Sequence, residues 1–194
     1  MQGIKEEKRN CRSRYTVQVI KDAFLEIEKK KMFNEISIAE ICREAQVSRS
    51  TFYQYYNNLA EVLDDVLADV SMQCSNAFAV HKLMEGENVE TPGKERFCEF
   101  VRREKKYTGL FLDESLTSKI INGLISDLHN QESDALQGKI NASKEEIQTY
   151  RYFQLNGCLS VIRKTLGQSE EEWKEARRIL DRIVDSSVLT FKNK

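Results

Sequence analysis

A single proline, Pro92, stands in a chain of 194 residues, and only eight glycines accompany it. Proline and glycine are the residues that break helices, so long stretches here are free to propagate as α-helix. The apolar residues recur at three- and four-residue intervals, and the strict alternation expected of a half-buried strand is nearly absent. The expected fold is therefore all-α, with short helices near the N-terminus and a helical bundle beyond them.

Val17, Ile20, Phe24 and Ile27 predict a first helix over 16–30, closed by the cations Lys29, Lys30 and Lys31 at its negative dipole end. Short helices are expected after the caps Ser37 and Ser48, and a longer one runs from the Asn58 cap towards Met84. Residues 86–93, GENVETPG, form the clearest loop. A helix bearing Phe97, Phe100 and Val101 follows, with a break near Tyr107–Gly109, then a helix carrying Leu116, Ile120, Leu124 and Leu128. The last two helices are the longest: 144–166, and one opened by the capping box of Ser169 and Glu172 and carrying Trp173, Ala176, Leu180 and Ile183. Their short connection, Leu166-Gly167-Gln168, implies an antiparallel hairpin. Two domains are expected, 1–63 and 64–194.

Several classes of function find no support. No apolar run approaches the ~18 residues of a membrane span, and the charged start MQGIKEEKRNCRSR lacks the core of a secretory signal; a cytoplasmic protein is expected. Cys11, Cys42, Cys74, Cys98 and Cys158 are odd in number and scattered, and read as free thiols. His81 and His129 have no ligand cluster around them. With no phosphate-binding glycine loop and no nucleophile constellation, neither an enzyme, a metal site nor a cofactor is expected. The charge is uneven: residues 1–58 hold 11 Lys/Arg against 8 Asp/Glu, a net of +3, and the remainder hold 19 against 23, a net of −4. One end is thus suited to meet a polyanion.

Residues 37–58, SIAEICREAQVSRSTFYQYYNN, carry most of the functional signal. The two short helices need the first as a third wall, with Ile38, Ile41, Ala45, Val47, Phe52 and Tyr56 facing inward. Arg49, Ser50, Thr51, Tyr53, Gln54 and Tyr55 are left largely outward. That set has a cation, hydrogen-bonding groups and aromatics, but no acid. Arg suits guanine edges, Gln suits adenine, and Thr or Tyr suit thymine methyls and phosphates. On spacing alone, DNA binding and a small three-helix protein-binding module both fit.

The pattern itself is more specific. Ile20-x-Asp22-Ala23, Phe33, Ile38-x-x-Ile41 and Ala45-x-Val47-Ser48-Arg49-Ser50-Thr51-Phe52-Tyr53-x-Tyr55-Tyr56 resemble the DNA-binding domain of TetR-type transcriptional regulators over 14–63. The resemblance implies a helix-turn-helix in which Ser37, Thr51, Tyr53, Gln54 and Tyr55 meet a double-stranded operator, and Ser48, Arg49 and Ser50 are candidate DNA contacts beside them. This chain has Met32 and Gln46 where such proteins often have glycine, and Leu59 where they often have a phosphate-reaching lysine. The resemblance also implies a homodimer through the last two helices, for which Gly157, Cys158, Val161, Leu180 and Ile183 are the candidate interface residues; a hairpin buried within its own subunit is the alternative. A C-terminal domain of this kind takes a small molecule or a protein partner. Phe78, His81, Phe97, Phe100, Tyr107, Phe111, Tyr150 and Phe153, with His129 and Tyr152, either line a pocket for an apolar or aromatic effector or form plain core.

Overall fold

Every regular element among the described residues is helical, as the scarcity of helix breakers predicts. The computed structural model describes residues 2–74, 97–132 and 142–192. It divides into two compact units, Met1–Ala68 and Asp69–Lys194.

In the first unit α1 spans Gln2–Glu28, α2 Ile38–Glu44 and α3 Arg49–Phe52; α4, Leu59–Cys74, begins here and continues past residue 68. Helix α1 begins well before Thr16. The added stretch lacks an apolar stripe, which hid it from periodicity, but it is rich in Lys, Glu and Arg and free of proline, so intrinsic propensity sustains it. Ile20, Phe24 and Leu25 of α1, Ile41 and Cys42 of α2, Phe52 of α3 and Val62, Leu63, Val66 and Leu67 of α4 are buried. Phe33, in the turn of 3-10 helix between α1 and α2, meets Phe24 edge-on at 6.1 Å.

In the second unit α5 spans Phe97–Arg103, α6 Thr108–Leu112, α7 Thr117–Glu132, α8 Lys144–Thr165 and α9 Glu170–Lys192. The expected break falls at the 3-10 turn Lys105–Tyr107, while Gly109 lies inside α6. Helix α8 packs against α5, α6, α7 and α9. Leu155, Leu159 and Ile162 of α8 supply its buried face, beside Ile120, Ile121 and Leu124 of α7 and Trp173 and Val184 of α9. The predicted capping box at the start of α9 is formed: Ser169 Oγ accepts from the Glu172 amide at 3.3 Å, and the Ser169 amide donates to Glu172 at 2.9 Å. These bonds hold the Glu172 carboxyl below its usual range.

Two arginines close helix ends in this unit. Arg102 donates to the Thr165 carbonyl at 3.0 Å, capping α8, and lies 4.6 Å from the centre of the Trp173 ring. Arg163 donates to the carbonyls of Phe111 at 2.7 Å and Asp113 at 3.1 Å, satisfying the end of α6.

Candidate nucleic-acid interface

Helix α2 opens on Ser37, whose Oγ accepts from the Glu40 amide at 3.3 Å. The Glu40 carboxylate in turn accepts from the Ser37 amide at 3.0 Å and from its hydroxyl at 2.8 Å. Lys31 pairs with the other carboxylate oxygen. The Lys31 bond and then the Ser37 bonds pull the Glu40 pKa from its ordinary 4.5 to about 2. Ser37 is therefore exposed at the head of α2 with its hydroxyl held in a defined direction.

The turn from α2 to α3 is closed by two backbone bonds: Val47 N–H to Cys42 C=O at 2.9 Å, and Gln46 N–H to Arg43 C=O at 3.3 Å. This is a Schellman arrangement, which places the residue after the helix cap in the left-handed region. That residue is Gln46, at φ 53°. Of the two positions where glycine was expected, only Gln46 carries this constraint; Met32 sits in ordinary extended backbone at φ −68°. Burial pushes the Cys42 thiol pKa up, with nearby Arg49 opposing, so the thiol behaves as a small core hydrophobe.

Ser48 caps α3, accepting from the Thr51 amide at 3.0 Å, and its hydroxyl lies 2.7 Å from Ser50 Oγ and 2.8 Å from Thr51 Oγ1. Phe52 is fully buried and anchors the helix, edge-on to Tyr53 at 5.6 Å and tilted against Tyr56 at 5.9 Å. With Phe52 pointing in, Arg49, Ser50, Tyr53 and Gln54 are exposed and Thr51 is half-buried. Tyr53 keeps 55% of its surface open. These side chains come from one short segment and share a surface with no carboxylate among them.

Tyr55 departs from the outward set. It is half-buried, and its hydroxyl donates to Ser13 Oγ on α1 at 3.4 Å. Its neighbour Tyr56 is buried, as its apolar spacing predicts, and donates to Asp65 on α4 at 2.5 Å. Helical spacing sets Lys21 on the side of α1 opposite its apolar stripe, yet Lys21 is buried and faces Asp65 at 3.5 Å; periodicity registers apolar faces and is silent on which buried polar groups meet.

In the second unit, Phe97, Phe100, Tyr107 and Phe111 are all buried. Phe97 meets Phe111 edge-on at 5.6 Å and Phe100 stacks with Tyr107 at 6.1 Å. Gln73 donates to the Tyr107 hydroxyl at 3.0 Å. Tyr150 is half-buried, whereas Tyr152 is exposed and Phe153 is 67% exposed, on the outer face of α8 rather than inside the unit. Phe78 and His81, and the side chain of His129, lie outside the described residues.

Gly157 is exposed in the middle of α8, and a Cβ built there would meet nothing within 4 Å. Cys158, Val161 and Leu180 are half-buried, and Ile183 is 49% exposed. Ile179 is 47% exposed and, one turn before Ile183, lines the same shallow groove with Arg182, Ser186 and Ser187. Ile183 thus belongs to the outer face of α9, and Trp173 and Val184 to the inner one. Among the described residues, no helix is long and apolar enough to cross a membrane and no three His, Cys, Asp or Glu gather as metal ligands.

No protein-family model matches the chain. An uncharacterized HTH-type transcriptional regulator of Haemophilus influenzae is 22% identical over 167 residues, covering 81% of this chain and 82% of that protein. Among solved structures, Salmonella enterica GusR superimposes with a TM-score of 0.50 at 14% identity, covering 91% of this chain and 94% of that one. That likeness is one of fold.

Proposed function

We propose that this chain is a sequence-specific DNA-binding transcriptional regulator of the TetR type, acting in the cytoplasm as a repressor rather than as an enzyme. The observation that carries the reading is the outward face of α3. Arg49, Ser50, Tyr53 and Gln54 are exposed together, without an acid, on a segment capped by Ser48 and rooted by buried Phe52. Thr51 and the Ser37 hydroxyl at the head of α2 complete the surface offered to DNA. In this proposal residues 1–63 read DNA and 64–194 regulate and dimerise. The similarity to a helix-turn-helix regulator of Haemophilus influenzae supports the same reading.

One short recognition helix reads only a few base pairs, so a palindromic operator and a two-fold dimer follow from the geometry of helix-turn-helix recognition. The outer faces of α8 and α9, with Gly157, Ile179 and Ile183, are assigned to the dimer contact; an exposed mid-helix glycine lets two backbones approach closely. An apolar or aromatic effector that prefers a conformer with misaligned recognition helices would lower operator affinity, and DNA would lower effector affinity by the same factor. A second reading, control by a protein partner, is favoured by the mutual packing of Phe97 with Phe111 and Phe100 with Tyr107, which commits those rings to core.

The deciding experiment is selection of duplexes from a random-sequence library. The wild type is expected to enrich a palindrome, and the double substitution Tyr53→Ala, Gln54→Ala to lose that preference while remaining folded, since both side chains are exposed. A wild type that enriches no sequence at physiological salt refutes the reading.

A further inference from the structure

Helix α3, Arg49–Phe52, is a single turn, and a single turn does not hold an orientation by its own hydrogen bonds. Phe52 roots it from below and Ser48 caps its start, but its far end requires a separate support. Tyr56 supplies one. Its ring lies against Phe52, and its hydroxyl donates to Asp65 Oδ2 on α4. The other oxygen of the same carboxylate, Oδ1, faces Lys21 Nζ on α1 at 3.5 Å. The Lys21 side chain is only 8% exposed, an unusual place for an ammonium group and one that demands a negative partner. Asp65 therefore ties three segments of the first unit together: α1, the end of the α3 segment, and α4.

We propose that Lys21, Asp65 and Tyr56 are a positioning set that fixes the direction of α3 and thereby sets sequence selectivity, without touching DNA. This rests on the assignment of α3 as the DNA-reading helix. Tyr56 is buried beneath the reading face, so it acts through the placement of Arg49, Tyr53 and Gln54. Base-edge contacts need α3 in one orientation, and apparent affinity for a specific sequence falls by the fraction of molecules holding it. Binding to phosphates is sequence-independent and tolerates a loosely held helix. Loss of the tie should therefore separate the two kinds of affinity.

The test uses the full chain and two duplexes: one selected by the wild type from a random library, and a shuffled duplex of equal composition. Tyr56→Phe removes one hydroxyl and leaves the ring on Phe52. It is expected to weaken binding to the selected duplex about tenfold, equivalent to about 1.4 kcal/mol, and to leave shuffled-duplex affinity within about twofold. Asp65→Asn should act in the same direction. Val66→Ala removes core methyl groups outside the set and should lower thermal stability without altering the ratio of the two affinities. Unchanged selectivity in both Tyr56→Phe and Asp65→Asn overturns the proposal. So does an equal loss for both duplexes, or a Val66→Ala ratio that falls as far, because either would reduce the set to a stability element. A wild type that selects no sequence refutes the DNA-reading assignment itself, a result distinct from the others.

Discussion

Gln46→Gly should stabilise the protein. Gln46 is held at φ 53° by the bonds that close the turn between α2 and α3. An L-residue in the left-handed region costs about 1–2 kcal/mol relative to the right-handed one, because its Cβ crowds the following carbonyl. Glycine escapes that cost but gives back about 0.4–1 kcal/mol through the greater freedom of its unfolded chain. Gln46 is exposed, so deleting its side chain sacrifices no burial, and the backbone bond from its amide to Arg43 survives. The net expectation is a gain of about 0.5–1 kcal/mol. Urea titrations at fixed protein concentration should show a higher midpoint at unchanged slope. Gln46→Ala, which keeps the Cβ, should gain much less, and Gln46→Val should lose stability because a β-branched residue fits this region worst. A glycine variant with an unchanged or lower midpoint, or an alanine variant that gains as much, would refute strain at Gln46 as a cost to the fold.

Two further outcomes follow from local geometry. Gly157→Leu should fold normally as a subunit, since an added Cβ meets nothing within 4 Å, yet yield monomers by light scattering; a dimer that persists at 22.6 kDa per chain would move the contact away from this face of α8. Glu40 titrates lower in the folded state than its ordinary 4.5, so its contribution is complete above that pH and is lost as pH falls from 4.5 through about 2. Glu40→Gln should flatten the acid limb of the stability curve in that window, and a wild type and variant whose urea midpoints stay parallel down to pH 2 would contradict the Lys31–Glu40–Ser37 arrangement.

The helical class, the caps at Ser37, Ser48 and Ser169 and the buried spacing of Ile20, Phe24, Ile41 and Phe52 were legible in the sequence, because each depends on residues within a turn or two of one another. The V-S-R-S-T-F-Y run likewise indicated which helix bears the outward polar face, since one buried aromatic forces its neighbours out. Tertiary structure decided the rest. It turned Tyr55 towards Ser13, joined Tyr56 to Asp65 and joined Asp65 to Lys21, contacts between residues 9 to 44 positions apart in the chain. It set Phe153 on an outer face and Phe97 and Phe111 in the core, although all three are phenylalanines on helices. Helical periodicity defines which residues share a face, but a face is buried only when another element covers it, and that is settled by packing across the chain rather than along it.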